Sequence, residues 1–230
     1  MASKKYLIVT AGGSGTRMGG PLPKQFLDLG GEAILQRTIS IFVEAVPDIN
    51  VVTVLPQEHV RWWQNYCQAH PYPQPQRIVK GGFTRFHSVQ NALKIIPDGA
   101  IVAVHDAVRP LITPELVKRL FKAMESCSAV IPVTPAIDTL KILDRQDGEL
   151  KETGEALDRS RVWCAQTPQI FRSEDLKAAY SQAFDTVFTD DASVASRYGI
   201  PLTFMEGERL NLKITTPEDL VLAKAILRLS

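Results

Sequence analysis

The chain has 230 residues, which suits one α/β domain or two small ones, and 45% of them are apolar, enough for a full core. Its formal charge of +1 gives no electrostatic case for nucleic acid or an anionic membrane as a partner. The scattered cysteines Cys67, Cys127 and Cys164 make neither a disulfide framework nor a metal-ligand spacing and suit a reducing, cytoplasmic compartment, and no apolar run reaches the length of a signal-peptide core or a transmembrane helix.

Tyr6 to Thr10 is predicted as a short buried strand. It stops at Ala11-Gly12-Gly13-Ser14-Gly15, where the backbone can turn sharply and bring its N–H groups against a ligand. A loop of this kind at the carboxyl end of a strand suits an oxyanion. Arg17 and Lys24 follow on the same loop, and Pro21 and Pro23 fix the approach to Lys24. A glycine cradle with Arg and Lys, and no acid among them, points to a polyphosphate. Two common phosphate motifs are excluded. Met18 stands where G-x-G-x-x-G needs its third glycine, and Pro21 stands where the P-loop needs its lysine. The plain alternative is a glycine-rich surface turn with two solvated cations.

Further along, residues 33–46 have the period of an amphipathic helix ended by Pro47. A strand is predicted over 51–55, a helix over 59–70, and a short strand over 78–79 that ends at Gly81-Gly82. A helix follows over 84–96, then a strand over 101–104 running into His105-Asp106. Thr113-Pro114-Glu115 caps a helix to about Cys127, and 129–133 is another strand. Alternation of strand and helix predicts a mostly parallel sheet with helices on both faces. Right-handed crossovers then gather the strands' carboxyl ends on one edge, where ligands bind.

The pattern changes after Pro135. Residues 140–143 and 149–152 flank an Asp-Gly turn signal within 144–148, a polar hairpin with little core of its own. It either lies on the domain or projects to a partner. A strand over 162–165 returns to the sheet, followed by helices over 173–184 and 190–198 and strands over 202–205 and 212–214. Thr216-Pro217 caps a final helix. Polar residues collect where strands end. They are Arg85 and Ser88, Asp106 and Arg109, Asp138 to Lys141, Arg159, Gln166 to Gln169, Thr189 to Ser193, and Asn211 to Lys213. Each alone is ordinary loop chemistry: Thr189 reads as a helix N-cap, and Arg85 as the partner of a surface acid. Their convergence on one edge argues for a site.

The segments AGGSGTRM with PKQ, GGFTRFHSV, VHDAVRP, DTLK, DRSRVWCAQTPQIF, TDDASV and NLKITTPEDL span most of the chain. With them it resembles the 2-C-methyl-D-erythritol 4-phosphate cytidylyltransferases of the non-mevalonate isoprenoid route, within the sugar- and alcohol-phosphate nucleotidyltransferases. The resemblance implies a Rossmann-like single domain over residues 1–230, with 136–161 as a projecting dimerisation arm. It implies CTP and methylerythritol phosphate as substrates and Mg2+ bridging the triphosphate, with Asp106 as its carboxylate or else as a ribose or substrate contact. Ala11, Gly12, Gly13, Gly15, Gly82, Ser88 and Asp106 would bind the nucleotide. Asp106, Arg109, Thr139, Arg159, Thr189 and Lys213 would bind the alcohol phosphate. Arg17 and Lys24 would neutralise the phosphates, while Arg159 and Lys213 would aim the attacking one. In the homodimer, Thr139 and Arg159 would serve the partner's site. The chain departs from the family pattern at Phe83, so nucleotide contact there is expected from the Gly82 backbone. Two other readings stay open: a ribitol 5-phosphate cytidylyltransferase and a non-catalytic nucleotide-binding protein.

Overall fold

The alternation of apolar runs is realised in a computed structural model that describes residues 3–13, 22–70, 75–154 and 156–229. The elements in order are β1 (Lys5–Thr10), α1 (Ile34–Ala45), β2 (Asn50–Leu55), α2 (Gln57–Ala69), β3 (Gln76–Lys80), α3 (Arg85–Leu93), β4 (Ile101–Asp106), α4 (Pro114–Ala123) and β5 (Ala129–Pro135). The strand order is completed by β8 (Trp163–Ala165), β9 (Gln169–Arg172) and β10 (Thr203–Glu206), with helices α5 (Ser173–Ala179), α6 (Asp191–Tyr198) and α7 (Pro217–Leu227).

The sheet runs β10-β5-β9-β4-β1-β2-β3, with β8 also paired to β5. β1 lies parallel between β2 and β4, so the chain grows one way through β2 and β3 and then crosses back to β4. The carboxyl ends of β1 and β4 flank this switch point, where open α/β sheets place their ligands. Two expectations need correction. β9 was not foreseen, and it inserts antiparallel between β4 and β5. Its amino end, Gln169, therefore reaches the same edge as the carboxyl ends of its neighbours. The strand expected over 212–214 does not form. Ile214 instead donates its N–H to the Val108 carbonyl (2.8 Å) and packs with Leu29, Ile34 and Ala223 beneath α7.

Period-two alternation along β1 divides the core between the sheet's faces. Leu7 and Val9 pack with Ile39, Phe42, Trp63 and Leu120 from α1, α2 and α4. Tyr6 and Ile8 pack with Val89, Leu93, Leu176 and Ala195 from α3, α5 and α6. Each buried Leu, Ile, Val or Phe among them contributes about 1.5–3 kcal/mol of transfer free energy, which makes the frame behind the switch point stiff.

The arm is a separate two-stranded hairpin of β6 (Leu143–Gln146) and β7 (Glu149–Glu152). Its turn has only Asp147 and Gly148 at the corner, with φ of 52° and 86°, the left-handed pair of a type I′ turn. The first strand thus lies three residues later than the pattern suggests, because a two-residue turn draws Asp144–Gln146 into the ladder. Every residue of both strands is exposed. Among the described residues, no helix is long and apolar enough to cross a membrane.

Candidate active site

The site begins where β1 ends. Beyond Thr10, the Ala11 N–H bonds the Val54 carbonyl (3.0 Å), which keeps the chain on the sheet for one more residue. The loop is then held from the side by Gln25. Its buried amide donates to the carbonyls of Ala11 (2.9 Å) and Gly13 (3.4 Å). Gln25 belongs to a 3-10 turn, Lys24–Phe26, that carries Lys24 to the loop. Phe26 anchors this turn against the rings of Trp62 (4.2 Å), His59 (5.6 Å) and Trp63 (6.1 Å) on α2. Gly15 and Arg17 lie outside the described residues.

Across from the glycine loop stands the turn between β3 and α3. The Gly82 N–H donates to Ser88 Oγ (3.0 Å), and a Cβ at Gly82 would run into His87. A cavity of ≈ 290 Å³ separates the two loops, bounded by Gly12, Gly13 and Lys24 on one side and by Gly82, Phe83 and Ser88 on the other. Phe83 is fully exposed at its rim. A second cavity of ≈ 260 Å³ lies beside it, lined by Arg109, Thr167, Gln169, Thr189 and Asp190. Arg85, Asp106 and Lys213 line both.

Asp106, the last residue of β4, is the hub of this shared wall. Its Oδ2 meets Lys213 Nζ at 3.0 Å and Arg109 Nε at 3.3 Å, and its Oδ1 faces Arg85 Nε at 3.7 Å. Burial would raise its pKa. Arg85, then Lys213 and Arg109, outweigh that and hold the carboxyl well below the usual carboxylate range. With both oxygens engaged by cations, Asp106 is the centre of an ion-pair cluster. No cluster of three His, Cys, Asp or Glu able to hold a metal occurs among the described residues.

Behind the hub is a buried polar lattice. His105 is fully buried, and burial, against the pull of Asp106, pushes its pKa down to about 3. Thr167 Oγ1 accepts the Asp106 N–H (3.1 Å) and lies 3.0 Å from His105 Nδ1, while Nε2 lies 3.3 Å from the Arg109 carbonyl. A neutral ring satisfies both contacts by accepting from the Thr167 hydroxyl at Nδ1 and donating from Nε2. Arg109 is fixed further by the Asn211 carbonyl (2.7 Å), and the buried Asn211 amide donates to the Thr167 carbonyl (2.9 Å). Gln169 ties the head of α6 to the sheet through Asp190 (2.7 Å) and the Ala192 N–H (2.7 Å).

The structure thus brings Ala11, Gly12, Gly13, Lys24, Gly82, Ser88, Asp106, Arg109, Thr189 and Lys213 to one edge, as the strand ends predict. Thr139 and Arg159 join neither cavity of this chain. Both are exposed at the base of the arm, where Arg159 donates to the Ile137 carbonyl (2.7 Å). Two local readings are corrected. Asp190, not Thr189, caps α6, because its carboxylate and Ser193 form a reciprocal capping box. Arg85 pairs not with a surface acid but with the fully buried Asp191. The sequence reading placed Gln169 and Asp191 only among the polar residues at the strand ends and gave no role to Gln25 or His105, although a polar residue inside an apolar run, as in VHD, was a signal available for His105.

A model of the family described as IspD, 2-C-methyl-D-erythritol 4-phosphate cytidylyltransferase, matches residues 6–229. The chain is 44% identical to a protein of that description from Porphyromonas gingivalis over 228 residues, 99% of each. It is 41% identical to another from Bacteroides thetaiotaomicron over 225 residues, 97% of this chain and all of that one. A crystal structure of 4-diphosphocytidyl-2C-methyl-D-erythritol synthase from Anaerococcus prevotii resembles it with a TM-score of 0.80 at 28% identity, covering 98% of this chain and 99% of that one. With the family model matched over residues 6–229 and the relatives covered along nearly their whole length, the chain belongs to the 2-C-methyl-D-erythritol 4-phosphate cytidylyltransferase family.

Proposed function

We propose that the chain joins CTP to 2-C-methyl-D-erythritol 4-phosphate, releasing pyrophosphate and forming 4-diphosphocytidyl-2-C-methyl-D-erythritol in non-mevalonate isoprenoid synthesis. The observation that carries this reading is the pair of adjoining cavities with one cationic wall in common. A nucleotide seated between the glycine loop and Gly82 would present its α-phosphorus at that wall. An alcohol phosphate held by Arg109 and Thr189 would approach from the other side. An oxygen of its phosphate bonds to the α-phosphorus, the bond from that phosphorus to the β-phosphate oxygen breaks, and pyrophosphate leaves in line. No protein nucleophile is required, so catalysis is positioning and charge neutralisation.

Lys24 and Lys213, together with Arg17, are the cations assigned to the phosphates. Ser88 accepts the Gly82 N–H and keeps its own O–H for a base carbonyl or ring nitrogen. Backbone carbonyls facing a cytosine amine would reject uracil by leaving buried groups unpaired. Magnesium, which takes phosphate oxygens and water readily, is assigned to the triphosphate itself; Asp106 fits it poorly as a direct ligand. Thr139 and Arg159 are assigned to the partner's site in a homodimer joined through the arm. Its three well-separated cysteines suit a cytoplasmic enzyme.

Pyrophosphate release tests the reading. Release is expected with CTP and methylerythritol phosphate together, and with neither alone. Equal release with ribitol 5-phosphate would reassign the alcohol, and no release with any alcohol phosphate would remove the catalytic reading.

A further inference from the structure

Arg85 opens α3, and its guanidinium stands where the two cavities meet. Its two terminal nitrogens clasp Asp191 bidentately, at 2.9 and 2.6 Å. Asp191 lies in the first turn of α6, and its Oδ1 also accepts the buried Tyr180 hydroxyl at 2.6 Å. The Tyr180 ring is seated in turn on Phe86 of α3, with centroids 4.7 Å apart. The guanidinium is therefore fixed from three elements, and its remaining Nε faces Asp106 Oδ1 at 3.7 Å. Lys213 and Arg109 hold the other oxygen, Oδ2. Burial opposes the charge of Arg85, but Asp191 and then Asp106 more than offset it, so the group is a permanent cation.

A buried ion pair is weak evidence for a stabilising role, because apolar side chains of similar shape often serve stability as well or better. What apolar side chains could not do here is restrain Oδ1. With that oxygen released, the Asp106 carboxylate can turn about its own bond and carry Lys213 with it. Displacement of a charged group by about 1 Å at a reacting phosphate costs on the order of a hundredfold in rate.

We propose that Arg85, seated by Asp191 and Tyr180, is a positioning residue for the transfer: it locks the Asp106 carboxylate and thereby the aim of Lys213 and Arg109 at the border of the two half-sites. This rests on the cytidylyltransferase reading, and the experiment separates the two. The decisive variant is the double substitution Arg85→Met with Asp191→Leu, which removes the pair without leaving a buried charge alone. Its melting temperature should fall only by what the Tyr180 hydroxyl costs once it has lost its acceptor, while kcat falls about a hundredfold and KM for CTP stays within about threefold. Arg85→Lys in the natural background should recover part of the lost kcat, since it keeps the charge and loses the fork. Asp191→Asn, which keeps the shape and frees a guanidinium that solvent can reach, tests the same link should the double variant not fold. It should lower kcat about tenfold. Folded variants with wild-type kcat would overturn the positioning role. So would a rise in KM for CTP with kcat unchanged, because that marks ground-state binding. A wild-type protein inactive with CTP and methylerythritol phosphate would instead overturn the functional reading itself.

Discussion

His105 and Asp106 are neighbours on β4 with opposite relations to charge. Asp106 is kept ionised by three cations; His105, one residue earlier, is kept neutral by burial. The two effects act on stability over different pH ranges. The folded His105 titrates near 3 against 6.5 for the free ring, so between those values the unfolded chain binds a proton that the folded chain does not. Stability therefore rises with pH in that window. The contribution is complete above pH 6.5 and is lost as the pH falls toward 3, at up to about 1.4 kcal/mol per unit. Asp106, with its depressed pKa, stabilises above the unfolded carboxylate value of about 3.9 and loses that contribution at still lower pH. Thermal melts between pH 7 and 5 should thus report mainly the histidine. Wild type should lose melting temperature across that range. His105→Gln, which can still offer an N–H to the Arg109 carbonyl, should show a flatter slope. Identical slopes would mean that the folded ring takes up protons freely and that its burial has no titration consequence.

The element that brings Lys24 to the site is a single 3-10 turn, too short to hold itself. Its position comes from α2, where Trp62, Trp63 and Tyr66 form a row of rings that Phe26 joins. The row is tied to α1 as well, since Tyr66 accepts the Ala33 N–H at 2.8 Å. Removing one ring should therefore affect chemistry as well as folding. Trp62→Ala is expected to lower stability by about 2 kcal/mol, less than a fully buried aromatic because Trp62 is only half buried, and to reduce kcat about tenfold. Trp62→Phe keeps a ring on Phe26 and should retain most of both. Denaturant unfolding and steady-state rates on the two variants measure this. Lost stability with kcat intact would confine the aromatic row to folding. The same turn shows what the sequence could and could not reveal. The apolar periods of α1, α2 and α4 and the buried strands β1, β2, β4 and β5 were legible, because each carries a full repeat of its own pattern. β9 was not, since QIFR is four residues long and its pairing with β4 and β5 is entirely long-range. At the site, Lys24 could be found from the glycine loop, and Asp106, Arg109 and Lys213 from the polar residues at the predicted strand ends. The roles of Gln25, Asp191 and Gln169 could not, because each comes from a partner at least 12 residues away in sequence.

At the scale of the whole molecule, the arm is the part that the domain does not explain. Every residue of its two strands is exposed, and so are Ile137, Leu157 and Trp163 at its base. A two-stranded hairpin is marginal in water by itself. Packing against a second copy would cover these side chains and place Thr139 and Arg159 near a site that they do not line in their own chain. A symmetric dimer reaches this by using the same patch twice. Complementation tests the arrangement. A Lys24→Ala chain and an Arg159→Ala chain should each be nearly inactive, for lack of a phosphate cation in one and of the partner's arginine in the other. When the two are mixed under conditions that allow subunits to exchange, each heterodimer would hold one site with both lesions and one with neither. About half of the dimers would be mixed, so activity should rise toward roughly a quarter of wild type. An absence of recovery, with exchange shown independently by mass spectrometry, would place Arg159 in the service of its own chain and leave the arm a structural contact alone.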